Sequence, residues 1–337
     1  MTNYLKSLLN KQSLSKEDSK QLVRRMMNGE IVDEQIAAIL SILHYRGETV
    51  DEMIGFAQGM NEQSIQISPD IPVIDTCGTG GDATGTYNIS TAVAILLSSL
   101  NVPVAKHGNR SVSSKTGSAD VLEYLGVPIQ TTKEEAVGQL KKNSLCFLFA
   151  PIYHSAMKQV ANARKRLGVK TIFNLLGPLT NPAGATHRLI GVYDREQGRK
   201  MAFACKELGV HRALFVTGAD GLDEMTITGE TFVTELNNED ITEYRYKPED
   251  AGLQQGKLDS AIVHTVEESG ELMMNIFNKN ASPEATNLLL LNAGAALYIS
   301  GKCESIKEGV IAARDGLGEK VLTHLQKLQQ SKKEVLA

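Results

Sequence analysis

The chain of 337 residues contains no tryptophan, and aromatic residues make up only 5% of it. It also lacks closely spaced cysteines, the four being Cys77, Cys146, Cys205 and Cys303. Without a C-x-x-C pair, neither a zinc cluster nor a disulfide framework is indicated. The formal net charge is −4, so no overall basic field attracts nucleic acid or an acidic membrane surface.

Long apolar runs are absent as well, and none approaches the ~20 residues of a membrane-spanning helix. The start, MTNYLKSLLNKQ, has no long apolar stretch after a basic region, so it does not resemble a signal peptide. We therefore expect a cytoplasmic protein that has neither a membrane nor a nucleic acid as partner. Its length suggests about two domains at ~150 residues each.

The sequence pattern changes near residue 66. Before that point it is helical, with a helix start at Ser15 and Asp18 and a capping box at Thr49 and Glu52. After residue 70, apolar β-rich runs alternate with helical stretches, which predicts a largely parallel α/β sheet. The runs are IPVID, VPVAK, LCFLFAP, HRLIGVY and RALFVTG. Residues 231–248 read as a hairpin.

A glycine-rich stretch, GTGGDATGTYNIST at residues 78–91, joins a predicted strand to a predicted helix. Such loops bring backbone amides close to an anion. A dinucleotide fingerprint would need an acid about 20 residues later, but no Asp or Glu occurs from Ala83 through Ala119. A Walker loop would need a closing G-K-[ST], which is missing. A plain structural turn remains the alternative.

The same acid-free stretch carries cations and hydroxyls. KHGNRSVSSKTGS follows the predicted strand VPVA, and ligands of open α/β sheets bind at such strand ends. Hydroxyls, amides and lysine suit phosphate oxygens. The two loops together predict a polyphosphate site, although a solvated polar loop remains the alternative. The hydroxyl and cationic residues are Thr86, Ser90, Thr91, Lys106, His107, Arg110, Ser111, Ser113, Ser114, Lys115 and Ser118.

Two further segments carry charge. Asp223 and Glu224 follow the strand RALFVTG, and such a pair can hold magnesium together with ligand phosphates, or can form a solvated turn. Arg164, Lys165 and Arg166 precede an apolar stretch. One guanidinium there could hold a carboxylate at two points, whereas the alternative is an exposed helix face.

Four long segments resemble the motifs of the anthranilate phosphoribosyltransferase family: DTCGTGGDATGTYNIST, KHGNRSVSSKTGSADVLEYLG, ARKRLGVKTIFNLLGPLTNP and VTGADGLDEMT. They occur in the family's order and spacing, and the similarity extends to NAGAALYISGK near the end. The resemblance implies transfer of phosphoribose from phosphoribosyl pyrophosphate (PRPP) to anthranilate, in tryptophan biosynthesis. It also implies Mg²⁺, a homodimer, and a small helical domain hinged to a larger, mostly parallel α/β domain.

The resemblance also implies roles for individual residues, with no general base assigned. Anthranilate would contact Gly78, Asn109 and Arg164, with His107 and Pro178 nearby, and the metal would contact Ser90, Asp223 and Glu224. Ser155 stands where the family often has proline, which weakens any role for His154. The implied PRPP-binding residues are Gly78, Gly81, Asp82, Thr86, Asn88, Ser90, Thr91, Lys106, His107, Gly108, Asn109, Arg110, Ser111, Val112, Ser113, Ser114 and Ser118.

We expect residues 1–68 to form the helical domain, with helices from 155–182 added to it. Residues 70–154 and 183–337 would form the PRPP-binding α/β domain. Two alternatives stay open. A pyrimidine nucleoside phosphorylase of the same fold would bind inorganic phosphate and would not need both the acid pair and the RKRLG…FNLLGPL segment. A non-enzymatic nucleic-acid-binding relative should be basic, with degraded substrate motifs.

Overall fold

The computed structural model describes the backbone of residues 2–80, 84–111 and 116–335, and the side chains of these except at 2–3 and 332–335. Within these ranges, no helix is both long enough and apolar enough to cross a membrane. Five residues assigned to the site from the sequence lie outside the described residues: Gly81, Asp82, Val112, Ser113 and Ser114.

Four helices open the chain: α1 (Thr2–Leu9), α2 (Lys16–Met27), α3 (Asp33–Arg46) and α4 (Val50–Glu62). The predicted caps are present, since Ser15 accepts the amide of Asp18 and Thr49 forms a capping box with Glu52. The Glu52 carboxylate is fully buried, accepts the amide of Leu14 and pairs with Arg46. One capping acid thus also fastens the α1–α2 connection to the end of α3.

A seven-stranded sheet follows, in the order β3-β2-β1-β4-β5-β6-β7. Strands β1 to β5 are parallel, while β6 and β7 form the predicted antiparallel hairpin. Asn238 at the hairpin tip has a φ of 54°, a left-handed conformation that asparagine tolerates. The strands are β1 (Ile74–Gly78), β2 (Val104–Gly108), β3 (Leu145–Phe149), β4 (His187–Gly191), β5 (Arg212–Gly218), β6 (Thr231–Asn237) and β7 (Asp240–Tyr246).

Helices cover both faces of this sheet. Every residue of α5 except Ser90 is buried, as its apolar sequence predicts. Short 3₁₀ turns lie at Ser155–Met157, Gly177–Leu179, Pro248–Ala251 and Asp259–Ala261. The helices are α5 (Ile89–Ser99), α6 (Ser118–Tyr124), α7 (Lys133–Asn143), α8 (Ala150–Tyr153), α9 (Lys158–Leu167), α10 (Ile172–Leu176), α11 (Arg195–Glu207), α12 (Val266–Phe277), α13 (Pro283–Ile299), α14 (Ile306–Gly316) and α15 (Glu319–Val335).

Two large apolar clusters form the core. One surrounds α5 and α13 on one side of the sheet. The other joins α2, α3 and α4 to α9 and α10, and continues into α11, β4 and β5. The predicted fold class, a small helical domain with a larger, mostly parallel α/β domain, is confirmed. The domain boundaries drawn from the sequence stay a prediction.

Candidate active site

The carboxyl ends of three parallel strands bring the predicted motifs to one edge of the sheet. The glycine loop follows β1, the cationic segment follows β2, and the acid pair follows β5. The amide of Gly80 donates a 2.9 Å hydrogen bond to Oδ2 of Asp223. A side chain at Gly78 would place its Cβ 2.8 Å from the same oxygen, so glycine permits this approach. The structure therefore joins the glycine loop directly to the acid pair.

The amino-terminal end of α5 carries the next group of predicted residues. Asn88 caps the helix, with Oδ1 accepting the amide of Thr91, and its Nδ2 donates to the Thr116 carbonyl. Thr86 forms a bridge with Ile262. The Thr91 hydroxyl is buried and has no hydrogen-bond partner within the described part of the chain. Asn88 thus ties the helix end, which favours anions, to the second polar loop.

Lys106 is buried, although the sequence suggested a lysine exposed to phosphate. Its ammonium donates to the Thr76 carbonyl at 2.6 Å and to the Ser90 hydroxyl at 3.1 Å. Burial lowers the pKa of Lys106, and the nearby carboxylate of Asp75 opposes that shift. The cation therefore lies beneath the amino-terminal end of α5 and is held by β1 and α5.

The second loop is braced by acids that lie just beyond the acid-free stretch. Arg110 pairs with Asp120 at 2.7 Å and with Glu123 at 2.9 Å, and Asp120 also accepts the amide of Ser111. Ser118 donates to the Asn109 carbonyl at 3.3 Å. The Arg110 charge is thus already compensated within the protein.

Gly108, at the end of β2, leaves no room for a side chain. A Cβ there would lie 2.2 Å from the Ser118 hydroxyl and 2.8 Å from the Phe147 ring. The glycine therefore lets α6 approach the strand end closely. In this way Ser118 is brought to the same edge as the glycine loop.

The loop that carries the acid pair is internally braced. Asp220 accepts hydrogen bonds from the Leu222 amide and from the hydroxyls of Thr226 and Thr228. Glu224 is buried, whereas Asp223 is half-buried. A Cβ at Gly191, the last residue of β4, would lie 1.5 Å from the Asp223 carbonyl oxygen. Gly191 was not singled out from the sequence, and only this backbone contact reveals its importance.

Residues 177–181, which we call the GPLTN turn, are held by polar side chains from three directions. His107 Nδ1 donates to the Gly177 carbonyl at 3.1 Å, and His154 Nε2 donates to the Thr180 carbonyl at 3.0 Å. The Arg188 guanidinium donates to the Pro178 carbonyl at 2.5 Å. The turn is therefore fixed against the end of β2.

The fourth attachment of this turn involves a buried carboxylate. Asn181 donates to Oδ2 of Asp75 at 2.6 Å and to the Ala105 carbonyl at 2.8 Å, while Oδ1 of Asp75 accepts the His107 amide. Burial raises the pKa of Asp75. Neither Asp75 nor Asn181 was predicted from the sequence to belong to the site. A lone acid within the apolar run IPVID was the available signal, because a buried carboxylate needs partners.

The two imidazoles that donate to this turn, those of His107 and His154, each adopt one tautomer. A carbonyl oxygen can only accept, so the proton lies on Nδ1 of His107 and on Nε2 of His154. Burial lowers the pKa of His107 to about 4 and that of His154 to about 3. The rings lie 5.0 Å apart, and their other nitrogens have no partner among the described residues. Near neutral pH both rings are uncharged and present a hydrogen-bond acceptor.

Arg164 lies on α9, with its guanidinium 5.2 Å from the centre of the Phe173 ring. Burial lowers its pKa. No acid or hydrogen-bond acceptor engages this guanidinium within the described ranges, and no bond joins it to Gly78 or Asn109. Lys165 and Arg166 are exposed, as a solvated helix face predicts. The basic triplet thus contains one half-buried cation able to receive an anion.

The chain matches two family models, the glycosyl transferase family helical bundle domain over residues 2–64 and its a/b domain over residues 70–319. It is 50% identical over 332 residues to an anthranilate phosphoribosyltransferase of Halalkalibacterium halodurans, covering 98% of this chain and 97% of that protein. Its fold matches the anthranilate phosphoribosyltransferase of Thermus thermophilus with a TM-score of 0.91 at 36% identity, covering 97% and 98% of the two chains.

A third likeness is to the structure of anthranilate phosphoribosyltransferase from Saccharomyces cerevisiae in complex with PRPP and Mg. The TM-score is 0.89, with 99% of this chain and 98% of the yeast chain covered. At 24% identity, this likeness concerns the fold alone. The sequence identity to the first two relatives extends over nearly the whole of each chain. The chain belongs to the anthranilate phosphoribosyltransferase family.

Proposed function

We propose that this chain transfers the 5-phosphoribosyl group of PRPP to the amine of anthranilate, giving N-(5-phosphoribosyl)anthranilate and pyrophosphate. The observation that carries the proposal is the hydrogen bond from Gly80 to Asp223, which places a glycine-rich anion loop and an acid pair at one strand edge. A phosphate-rich substrate and a divalent cation need both features together. The 50% identity to a curated anthranilate phosphoribosyltransferase supports the same reaction.

PRPP is assigned to the edge formed by β1, β2 and α5. Gly78, Asn88 and Thr91 would meet its phosphates from the α5 side, and Asn109 and Ser118 from the second loop. The Thr91 hydroxyl, buried without a partner among the described residues, fits an acceptor or donor supplied by a ligand. Thr86, Ser90, Lys106, His107, Gly108, Arg110 and Ser111 complete the described part of this assignment.

Magnesium is assigned to Asp223 and Glu224. Mg²⁺ commonly takes one or two carboxylates and completes its shell with water and substrate phosphates. The residues fit that mode, because two adjacent carboxylates follow β5 and one of them, Asp223, contacts the glycine loop proposed to hold the phosphates. When bound, the ion would offset negative charge developing on the pyrophosphate oxygens. The Ser90 hydroxyl accepts from the Lys106 ammonium at 3.1 Å and keeps a second lone pair with which it could join the ion.

Anthranilate is assigned to Arg164, Gly78 and Asn109, with His107 and Pro178 nearby. The guanidinium would hold the carboxylate. Because an aromatic amine is neutral near pH 7, attack on the ribosyl carbon needs no strong base. Bringing two bound substrates together can supply roughly 7–11 kcal/mol of the barrier reduction. We assign no general base.

The decisive experiment follows the fluorescence of anthranilate in the presence of PRPP, magnesium and the purified protein. Anthranilate consumption that requires both PRPP and a divalent cation is expected. A nucleoside with inorganic phosphate is the comparison reaction. If this phosphorolysis proceeds and anthranilate stays unconsumed, the assignment of the second substrate is wrong.

We further propose that the chain forms a homodimer through its first helices. Leu9 on α1 and Tyr45 on α3 are 64% and 93% exposed, and α1 packs against α3. Large exposed apolar side chains on adjacent helices are typical of a protein interface. Sedimentation equilibrium should give twice the chain mass, and the double variant Leu9→Glu with Tyr45→Glu should give one chain mass. A wild-type monomer would refute the proposal.

A further inference from the structure

Asn292 lies near the middle of α13 and is completely buried, in the apolar run LLLLNAGAALY. Its side chain is nevertheless fully used. Oδ1 accepts the Met225 amide at 2.9 Å, and Nδ2 donates to the Met225 carbonyl at 2.9 Å. Nδ2 also donates to the Leu288 carbonyl of its own helix at 2.9 Å. One side chain thus satisfies both backbone groups of a residue 67 positions away.

Met225 directly follows Glu224 in the chain. Two hydrogen bonds between one planar side-chain amide and one residue, one accepted and one donated by the side chain, fix both the position and the orientation of that backbone segment. The support is rigid, because Leu288, Leu291 and Ala295 on the same helix are at most 1% exposed. The hydrogen bonds that Asp220 accepts lie within the loop and shape it, whereas Asn292 attaches that loop to the core.

The irregular backbone explains why a polar side chain is required here. Met225 lies outside the sheet, so its amide and carbonyl have no ladder partner, and its side chain is completely buried. A buried backbone group without a partner costs about 1–3 kcal/mol. This need concerns stability alone. The position of the bonded residue, next to the acid pair, gives the contact a second consequence.

We propose that Asn292 is a positioning residue that sets the affinity of Asp223 and Glu224 for the divalent cation. The inference rests on the proposed metal role of these two acids. A small error in carboxylate placement weakens metal binding, because Mg²⁺ demands near-ideal octahedral geometry. Asn292 touches neither substrate nor metal in this assignment and acts through the Met225 backbone.

The test measures Mn²⁺ binding to the whole protein by electron paramagnetic resonance, with inorganic pyrophosphate as the phosphate ligand. Asn292→Leu, which keeps the side-chain size, should raise the Mn²⁺ dissociation constant by at least about tenfold, the usual effect of losing a residue that orients metal ligands. In the activity assay, the magnesium concentration for half-maximal rate should rise by a larger factor than kcat falls at saturating magnesium.

Asn143→Leu is the matched control. Asn143, the last residue of α7, is also buried and donates to the Ser331 hydroxyl at 2.9 Å. Helix α7 packs against the outermost strand β3, and not against β5, which leads to the acid pair. Asn143→Leu should lower the melting temperature and leave the Mn²⁺ affinity unchanged. A lower melting temperature of Asn292→Leu with unaltered Mn²⁺ affinity would overturn the inference, because the residue would then serve stability alone.

Two further variants make every outcome informative. If Asn292→Leu does not fold, Asn292→Ala, which leaves room for water, takes its place. Normal Mn²⁺ binding by Asn292→Ala would also overturn the inference. The double variant Asp223→Asn with Glu224→Gln should lose Mn²⁺ binding. Binding retained there refutes the proposed metal site itself, whereas binding lost there but retained in the Asn292 variants refutes only the role of Asn292.

Discussion

The Asp223 carboxylate accepts a 2.9 Å hydrogen bond from the Gly80 amide, across 143 positions of sequence. The acid loop and the glycine loop are therefore one unit before any ligand arrives. In the proposed function, a phosphate bound beside this unit would lie close to the Asp223 carboxylate. Since phosphate and carboxylate repel each other, a cation between them would offset that repulsion.

Removing both acid charges tests this proposal. Asp223→Asn with Glu224→Gln nearly preserves shape, and the amide oxygen introduced at position 223 can still accept the Gly80 amide. We expect kcat to fall at least ~100-fold, about 2.7 kcal/mol of transition-state stabilisation. Steady-state rates at saturating magnesium are the measurement, with the exposed Asp259→Asn as control. Full activity of the double variant would show that catalysis does not need the two acid charges.

Gly191→Ala should disturb the acid loop without touching a charged group. The added Cβ would lie 1.5 Å from the Asp223 carbonyl oxygen, so backbone must move. We expect a loss of at least about 1–3 kcal/mol in the free energy of unfolding, the usual range for overpacking. Urea titration and the rate at saturating substrates both report the change.

Gly138→Ala should stabilise the protein, in contrast to Gly191→Ala. Gly138 lies within α7, and a Cβ there meets nothing within 4 Å. Alanine should raise the free energy of unfolding by about 0.5–1 kcal/mol, because glycine weakens a helix interior. Equal behaviour of the two variants would contradict the close packing of Gly191 against Asp223.

Arg164→Ala should weaken anthranilate use and leave PRPP binding nearly intact. A hydrogen bond to a charged group contributes ~1.5–3 kcal/mol, so the KM for anthranilate should rise roughly 10- to 150-fold. The Kd of PRPP should stay within about threefold, as measured by calorimetry. Lys165→Ala is the control, since that side chain is exposed on the same helix. An unmoved KM in both variants would show that Arg164 does not hold the anthranilate carboxylate.

The buried imidazoles predict how stability depends on pH. His107 and His154 have folded pKa values of about 4 and about 3, below the ~6.5 of an unfolded chain. The unfolded state therefore binds more protons, and stability falls as pH drops from about 6.5 towards 4. The slope should be up to about 1.4 kcal/mol per pH unit for each group.

His107→Asn with His154→Gln should flatten this slope, because amides do not titrate in this pH range. Each amide can keep the donor to the GPLTN turn, so the contacts are preserved. Urea unfolding between pH 4.5 and about 7 measures it. The exposed His44→Asn is the control, because that ring lies outside the buried pair. An unaltered slope in the double variant would mean that the two rings are not held neutral in the folded protein.

The sequence indicated where chemistry would gather, because parallel strands place all their carboxyl ends on one edge. The caps at Ser15 and Thr49 and the hairpin at residues 231–248 were also readable, since each depends on neighbouring residues. The long-range partners were not. That Asn292 would bond Met225, or Asn181 would bond Asp75, follows from packing between segments, for which one sequence offers no local signal.

In the acid-free stretch, the charges that lie near one another along the chain are not the ones that pair in the fold. The stretch ends at Ala119, and the next residue, Asp120, folds back onto Arg110 from the first turn of α6. Lys106 likewise points beneath α5 instead of towards the open edge. The sequence therefore indicates which strand ends carry cations. Only the folded structure shows which of these cations already pair with an acid or a backbone carbonyl.

The helical core that joins α2, α3 and α4 to α9 and α10 also bears on synthesis of the chain. Helix α4 ends at Glu62 and α10 at Leu176. A ribosome adding about 5–20 residues per second completes α10 roughly 5–25 seconds after α4. Throughout that interval the apolar faces of α3 and α4 that later pack against Phe173 and Leu176 of α10 stay uncovered. A nascent chain stalled near residue 64 would therefore expose apolar surface and be a substrate for chaperones.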